Sequence, residues 1–451
     1  MGYDDASQVT LIRHSKSDDT QVAKYEYSYN DSGVRTSVLE GNVLRYAAEG
    51  AATQDDRRVT WSYDNAWRLT REARSGDNAY DITYSYDSVG SRATKLTGGV
   101  TTTYSYNAGD AVTGADAGGT LTTYSWDDAG NNTVVNANGT LTTYTWDGES
   151  RLATIQTASG TITLGYDAGG LRRSRQDAST TRKYVWDAAN LLLETDGDGT
   201  TVAQYTFPST RGPGVSPGSE YGPIVSQRRG NTSRFFHPSV LGTIETLTDA
   251  DAATTDTYIL DAWGVQHASS GSTTNPFRYI GALGYYTEPD LGLAYVRARW
   301  LRPATGSWLS VDPESLAGVQ VVQVLRAVPG GTLSTRGYAL SSPTLVVDPD
   351  GEWVAIAIFV VGVVVVVVIV SGCGCAKAGA TAGQYVVAGS ELTGPAEPRA
   401  VPAGAATAAR HRAEQALSEG DPEEARGGTD PLERLTDVQT KAGRALRRLD
   451  Q

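Results

Sequence analysis

Histidine and cysteine are scarce in this chain of 451 residues, and each shortage narrows what it can do. The four histidines, His14, His237, His267 and His411, are spread over the whole length. That leaves the usual nuclease, hydrolase and zinc-pair constellations little to draw on. The two cysteines, Cys373 and Cys375, stand too close together for a framework disulfide and do not report a redox compartment. No Ser/His/Asp order, phosphate-binding loop or His-Glu helix motif occurs. Residues 1–24 lack a charged segment followed by an apolar one, so no secretory signal is visible. Positive charge is also short: the net charge is -13, and 28 basic face 40 acidic residues before position 376. An acidic body argues against nucleic acid or anionic lipid as its partner.

What the chain has instead is a repeat. An aromatic-x-aromatic-Asp/Asn signature returns every twenty residues: Tyr84-Ser-Tyr86-Asp87, Tyr104-Ser-Tyr106-Asn107, Tyr124-Ser-Trp126-Asp127, Tyr144-Thr-Trp146-Asp147, Leu164-Gly-Tyr166-Asp167 and Tyr184-Val-Trp186-Asp187. Earlier copies stand at Trp61-Ser-Tyr63-Asp64 and Tyr27-Ser-Tyr29-Asn30. Rings alternating with small polar residues put both rings on one strand face. The Asp or Asn that follows bonds its own backbone in a turn, with Gly90, Gly109, Gly130 and Gly169 as candidates for a positive φ. Half a period away lies a second turn signal, Gly98-Gly99, Gly118-Gly119, Asn138-Gly139 and Ser159-Gly160, followed by Thr-rich β-formers. Each unit therefore predicts one hairpin, and the constant spacing predicts that Tyr84, Tyr104, Tyr124 and Tyr144 stack in register. These rings read as cross-strand packing residues. The loop Asp196-Gly-Asp198-Gly199 reads as an ordinary turn, since an EF-hand would require Glu where Phe207 stands.

Beyond the array come Phe235-Phe-His237-Pro, Tyr258-Ile-Leu-Asp261-Ala-Trp263-Gly264 and Asn275-Pro-Phe277-Arg-Tyr279, then a dense aromatic and arginine stretch from Gly284 to Asp312-Pro313. Together with the tyrosine-aspartate units these resemble the RHS/YD-repeat family with its RHS repeat-associated core, over about residues 25 to 351. The resemblance implies an all-β fold, a curled sheet or shell of antiparallel hairpins, and a bacterial protein with a variable segment after the core. Members are usually much longer, so the chain reads as an N-terminally truncated one. The implied organisation is an N-terminal segment (1–24), the repeat array (25–207), a Pro/Gly connection (208–223), the core (224–351), a hydrophobic helix (352–375) and a C-terminal tail (376–451).

The family closes its core with two Asp-Pro motifs whose aspartates are associated with self-cleavage after the second. Asp312 and Asp348 occupy those places, near Gly351. Such chemistry requires a close carboxyl pair, one protonated and one ionised. Several departures predict that cleavage is impaired or absent: Ser307 replaces the family's Arg, the first motif lacks its Gly, Glu352 replaces Leu, and the aspartates are 36 residues apart. His237 lacks the second His of the resembled motif, where Val240 stands, and reads as a packed or capping residue with no metal. Arg297 and Arg299 fall on one strand face, either received by the acidic repeats as ion pairs or exposed.

Residues 353–370 carry no charge. Eighteen residues as a helix span about 27 Å, close to a bilayer's hydrocarbon thickness, which predicts a membrane-inserting helix, with packing inside the shell as the alternative. Two short helices, 406–417 and 431–449, are expected in the tail, the second with Asp430 as N-cap and Pro431 at its first position. Three functions remain open: a structural shell at the cell envelope enclosing or displaying its own C-terminal segment, as in toxin delivery or intercellular competition; a cell-surface adhesion or glycan-binding module; and an aspartyl autoprotease. No cofactor is expected.

Overall fold

The computed structural model describes residues 1–41, 57–208, 223–312 and 336–351, together with the backbone of Phe359–Val361 and Val364–Val366. All of these lie in one compact unit, Met1–Ser390. Within it, 24 strands from Gly2–Tyr3 to Gln266–Ser270 form one antiparallel sheet. Each strand pairs with the next in sequence, as Tyr80–Tyr86 does with Arg92–Thr97 and that strand with Val100–Tyr106.

Two turns alternate along this meander. The Asp or Asn of the signature closes the first. Asp87 Oδ1 accepts the N–H groups of Val89 and Ser91 at 3.0 and 2.8 Å, while the Asp87 N–H donates to the Ser91 carbonyl. The same bonds recur at Asn30, Asp64, Asn107, Asp147, Asp167 and Asp196. The positive φ falls three residues after the Asp or Asn whatever stands there: Gly90 at 85°, Asp110 at 56°, Ser150 at 58°, Gly170 at 83°. Gly109 and Gly169, expected from sequence, sit one position too early. The second turn is a two-residue connection with both φ positive, as at Asn138 (50°) and Gly139 (92°), which suits the right-handed twist of the flanking strands.

Each signature also faces a bulge, whose extra residue, such as Ala93, Thr133, Ala153 or Arg173, lies on the strand that follows. Pairing shifts by one residue between Ser85 and Tyr86, Ser125 and Trp126, Thr145 and Trp146, and Gly165 and Tyr166. An extra residue bends its strand and increases local twist, so a bulge repeated every twenty residues curls the sheet. The curl is visible in what the strands share. A flat sheet of 24 strands would be about 110 Å wide. Yet Tyr144, Leu164, Tyr184, Tyr205 and Phe236 pack in one cluster with Leu293, Tyr295 and Trp300 of a small second sheet. Leu69, Ile82 and Tyr84 join that sheet's Leu301 and Trp308 in another. The small sheet has four strands, Tyr286–Glu288, Leu293–Val296, Arg299–Arg302 and Ser307–Trp308. The large sheet wraps around it, and its early strands meet its late turns: Tyr27 Oη accepts the Val240 N–H at 3.0 Å, and Glu72 Oε2 accepts the Ala262 N–H at 2.7 Å.

Tyr84, Tyr104, Tyr124 and Tyr144 occupy equivalent register positions, opposite Lys95, Ala115, Val135 and Ile155. They do not stack on one another, because rings two strands apart are about 10 Å apart. Arginines fill the gaps. Arg92 lies 4.9 and 5.7 Å from the Tyr84 and Tyr104 ring centres, and Arg302 lies 5.1 and 5.9 Å from those of Tyr124 and Tyr144. Arg172, fully buried, is surrounded by Tyr184, Tyr286, Tyr295 and Trp300 and paired with Glu288 at 2.5 Å. Ring quadrupoles and a carboxylate together offset the cost of burying that charge.

The expected hydrophobic helix over 352–375, and the membrane-spanning segment it implied at 353–370, are overturned. Phe359–Val361 pairs antiparallel with Val364–Val366, Phe359 opposite Val366. Valine is β-branched, stiff at χ1 and favoured in strands, and the length match to a bilayer carried the helix reading only on the premise of a lipid environment. Among the described residues the only helices are 3-10 turns, Gly281–Leu283 and Tyr338–Ser341, and no helix is long and apolar enough to cross a membrane. The expected short α-helical tail, 406–417 and 431–449, lies outside the described residues. The fold seen is all-β, without the helices the sequence reading attached to it.

Candidate functional site: two carboxylates on Arg299

The small sheet's central hairpin, Leu293–Val296 to Arg299–Arg302, is joined by Arg297 and Ala298. Arg297 holds a φ of 46°, a left-handed conformation costly for a side chain with a Cβ, and it is held there by three carbonyls. Its guanidinium donates to those of Ala189 and Leu283, each at 3.0 Å, and of Pro349. The Ala298 N–H donates to the Asp350 carbonyl at 3.0 Å. The hairpin tip therefore clamps residues 348–351.

Arg299 completes the clamp. Its Nη2 lies 2.6 Å from Asp348 Oδ2 and 2.9 Å from Asp312 Oδ2, its Nε donates to the Gly351 carbonyl, and its guanidinium stacks 4.2 Å from the Trp308 ring centre. Asp348 is 0 % exposed. Its Oδ1 accepts the Gly351 N–H at 2.9 Å, and its own carbonyl receives the Tyr285 hydroxyl. Burial pushes the Asp348 carboxyl well above the usual range; Arg299 opposes that shift, and Asp350 and Asp312 add to it. Asp348 thus lies in surroundings that favour its neutral form, opposed by Arg299, beside a second, partly exposed carboxyl. Gly351 has a φ of 76°, and a Cβ there would collide with the Val296 carbonyl, so only glycine fits.

The structure brings together the two aspartates singled out from sequence, despite the 36 residues between them. It places Arg297 and Arg299 differently from the strand-face reading: one lies in the hairpin tip, the other begins the next strand, and the carboxylates on Arg299 belong to the core rather than to the repeats. Sequence reasoning missed that Arg299 links both aspartates to the Gly351 carbonyl; the crowding of arginines and rings after Tyr295 was the available signal. It also missed a partner for His237. His14, from the other end of the chain, lies edge-on to it with ring centres 4.9 Å apart, while His237 Nε2 contacts Thr248 Oγ1 at 2.9 Å. No group of three or more His, Cys, Asp or Glu among the described residues could hold a metal ion.

No family profile matches the chain. Among curated proteins it is 29% identical over 180 residues to the tRNA3(Ser)-specific nuclease WapA of Bacillus spizizenii, a match covering 39% of this chain and 7% of that protein. It is 29% identical over 124 residues to the toxin protein Tse5 of Pseudomonas aeruginosa, covering 28% of this chain and 8% of that one. The matched stretch thus spans less than a tenth of the length of these relatives. Among solved structures, the TcdB2-TccC3-Cdc42 crystal structure aligns with 76% of this chain and 21% of its own at 14% identity and a TM-score of 0.34.

Proposed function

We propose that this chain is part of an RHS/YD-repeat shell that encloses or displays its own C-terminal segment at the cell envelope, in toxin delivery or competition between cells. One observation carries the reading. The core hands over to the remaining 100 residues at Gly351, which is buried and clamped on the inner, wrapped side of the sheet rather than at its surface. Relatives named as nucleases and a toxin support an offensive role. Their activities are not transferred, because the match covers so little of each. Limited proteolysis of the full chain tests the enclosure: residues 352–451 should resist a protease that nicks an exposed hairpin turn such as Gly118-Gly119. Digestion of that segment at the rate of the turn would sink the proposal.

A second reading is favoured by Arg299. Asp348, whose neutral form burial favours, and a second carboxyl share one guanidinium whose Nε polarises the Gly351 carbonyl, an arrangement suited to water attack on the peptide bond after Gly351. The wide spacing of the aspartates does not disfavour it, whereas Ser307 and Glu352 still do. Intact mass spectrometry after expression decides: a fragment ending at Gly351 that disappears in Asp312→Asn supports the pair, and an uncut wild-type chain excludes it.

A further inference from the structure

Where the early strands of the large sheet meet its late turns, one buried cluster is used by none of the chemistry above. Asp261 follows the strand Thr254–Leu260 and has a fully buried side chain. Its Oδ1 accepts the N–H groups of Trp263 and Val265 at 3.0 and 2.9 Å. Its Oδ2 faces Lys95 Nζ at 4.0 Å, from the strand Arg92–Thr97, and His267 Nε2 at 3.4 Å. His267 is stacked on Tyr80, ring centres 4.3 Å apart. Glu72, also buried, accepts the N–H of Ala262, next to Asp261, and the Tyr80 hydroxyl at 2.9 Å.

We propose that Lys95 and Asp261 are joined by an amide bond between Nζ and Cγ, a covalent cross-link that fastens the seam of the curled sheet, with Glu72 and His267 carrying the proton transfers. The lysine nitrogen makes no hydrogen bond among the described residues, and burial lowers its affinity for a proton, which favours the nucleophilic amine. The two backbone N–H groups on Oδ1 stand where a tetrahedral intermediate would gather negative charge, and they fix Oδ1 as the oxygen that stays. Oδ2 is the oxygen that leaves, with His267 beside it. Glu72 is anchored next to Asp261 by the Ala262 N–H, and burial, with Asp261 adding to it, raises its carboxyl to about 8, which suits it to carry a proton there.

The reaction balances without a co-reactant. The Nζ lone pair forms the bond to Cγ, the bond from Cγ to Oδ2 breaks, and two of the ammonium's three protons leave with Oδ2 as water. The third stays on the amide nitrogen. The residues joined are 166 apart in sequence, so the link would hold the early and late parts of the sheet together even when the sheet unfolds.

Intact mass spectrometry of the purified full chain, denatured, is the test, or of its fragment through Gly351 should it be cut there. The expected mass is lower than the sum of the residues by one water. Trypsin should fail to cut after Lys95 and should release a branched peptide containing Lys95 and Asp261. Lys95→Arg, which keeps the charge, should restore the full mass. Glu72→Gln should fold with the same strand content but lose most of the mass decrement. A wild-type chain of full mass, cut normally after Lys95, leaves a plain ion pair and overturns the proposal.

Discussion

The Tyr106 hydroxyl donates to the Arg92 carbonyl at 2.8 Å, across to the first residue of the preceding strand. The second ring of every signature does the same: Tyr29 to Val9, Tyr63 to Arg35, Tyr86 to Leu69, Trp126 to Val112, Trp146 to Asn132, Tyr166 to Leu152 and Trp186 to Arg172. Each of these carbonyls belongs to the residue paired with the preceding signature's second ring, as Arg92 is with Tyr86, where that unit's bulge interrupts the ladder, and the next ring's N–H or O–H satisfies it. That explains why the position holds Tyr or Trp and never Phe. Tyr106→Phe should therefore cost about 1 to 2 kcal/mol, since the carbonyl is left without its donor. Tyr124→Phe, at a first-ring position that packs against Arg302 through its face, should cost under about 0.5 kcal/mol. Guanidinium melts of the two variants compare the positions directly, and equal losses would remove the distinction.

The positive φ after each acid gives a second prediction. Ala252 sits at 58° in the turn begun by Asp249, in a place where other turns hold glycine. Ala252→Gly relieves a left-handed strain of about 1 to 2 kcal/mol but adds freedom to the unfolded chain, for a net gain of about 0.5 to 1 kcal/mol. Gly130→Ala should lose more than that gain, because its Cβ would meet both Arg336 and Val311. Thermal melts should move in opposite directions.

The twenty-residue period was legible because it is written in side chains: rings that pack, acids that cap, glycines and asparagines that turn. The bulge was not, since it belongs to the backbone and no residue type marks it. Positive φ could be read where glycine supplied it and not where Asp110 or Ser150 accept it. At the candidate site, Asp312 and Asp348 were found through a resemblance, whereas the link between them is a long-range contact of Arg299 that no local pattern encodes. The valine run was misread because its length was weighed against a bilayer, while the intrinsic preference of valine for strands was set aside.

Acid should weaken the seam through the facing imidazoles. Burial, with His14 adding to it, lowers the His237 pKa to about 4, and His14 is shifted the same way. Between about pH 6.5 and 4 the unfolded chain binds more protons than the folded one, so the contribution is fully present above pH 6.5 and is lost as pH falls through 4. The expected loss is on the order of 3 kcal/mol for His237. His237→Gln should flatten this part of the stability profile in denaturant melts at successive pH values. A variant profile as steep as the wild type would assign the acid sensitivity to other groups.

The clamp at Gly351 predicts a coupling. Arg299 serves two carboxyls and one carbonyl with a planar fork, and a lysine in its place presents one nitrogen that cannot reach all three. Arg299→Lys should thus destabilise the chain by about 2 to 4 kcal/mol, most of it from leaving the Asp348 region poorly compensated in a dry site. Asp348→Asn keeps the shape while removing the group whose ionised form is costly there. If the cost of Arg299→Lys lies in that carboxyl, the double variant Arg299→Lys/Asp348→Asn should be more stable than the sum of the two single losses by at least about 1 kcal/mol. Strict additivity in a double-mutant cycle would mean that Arg299 acts through its packing on Trp308 and its bond to Gly351, with Asp348 a bystander.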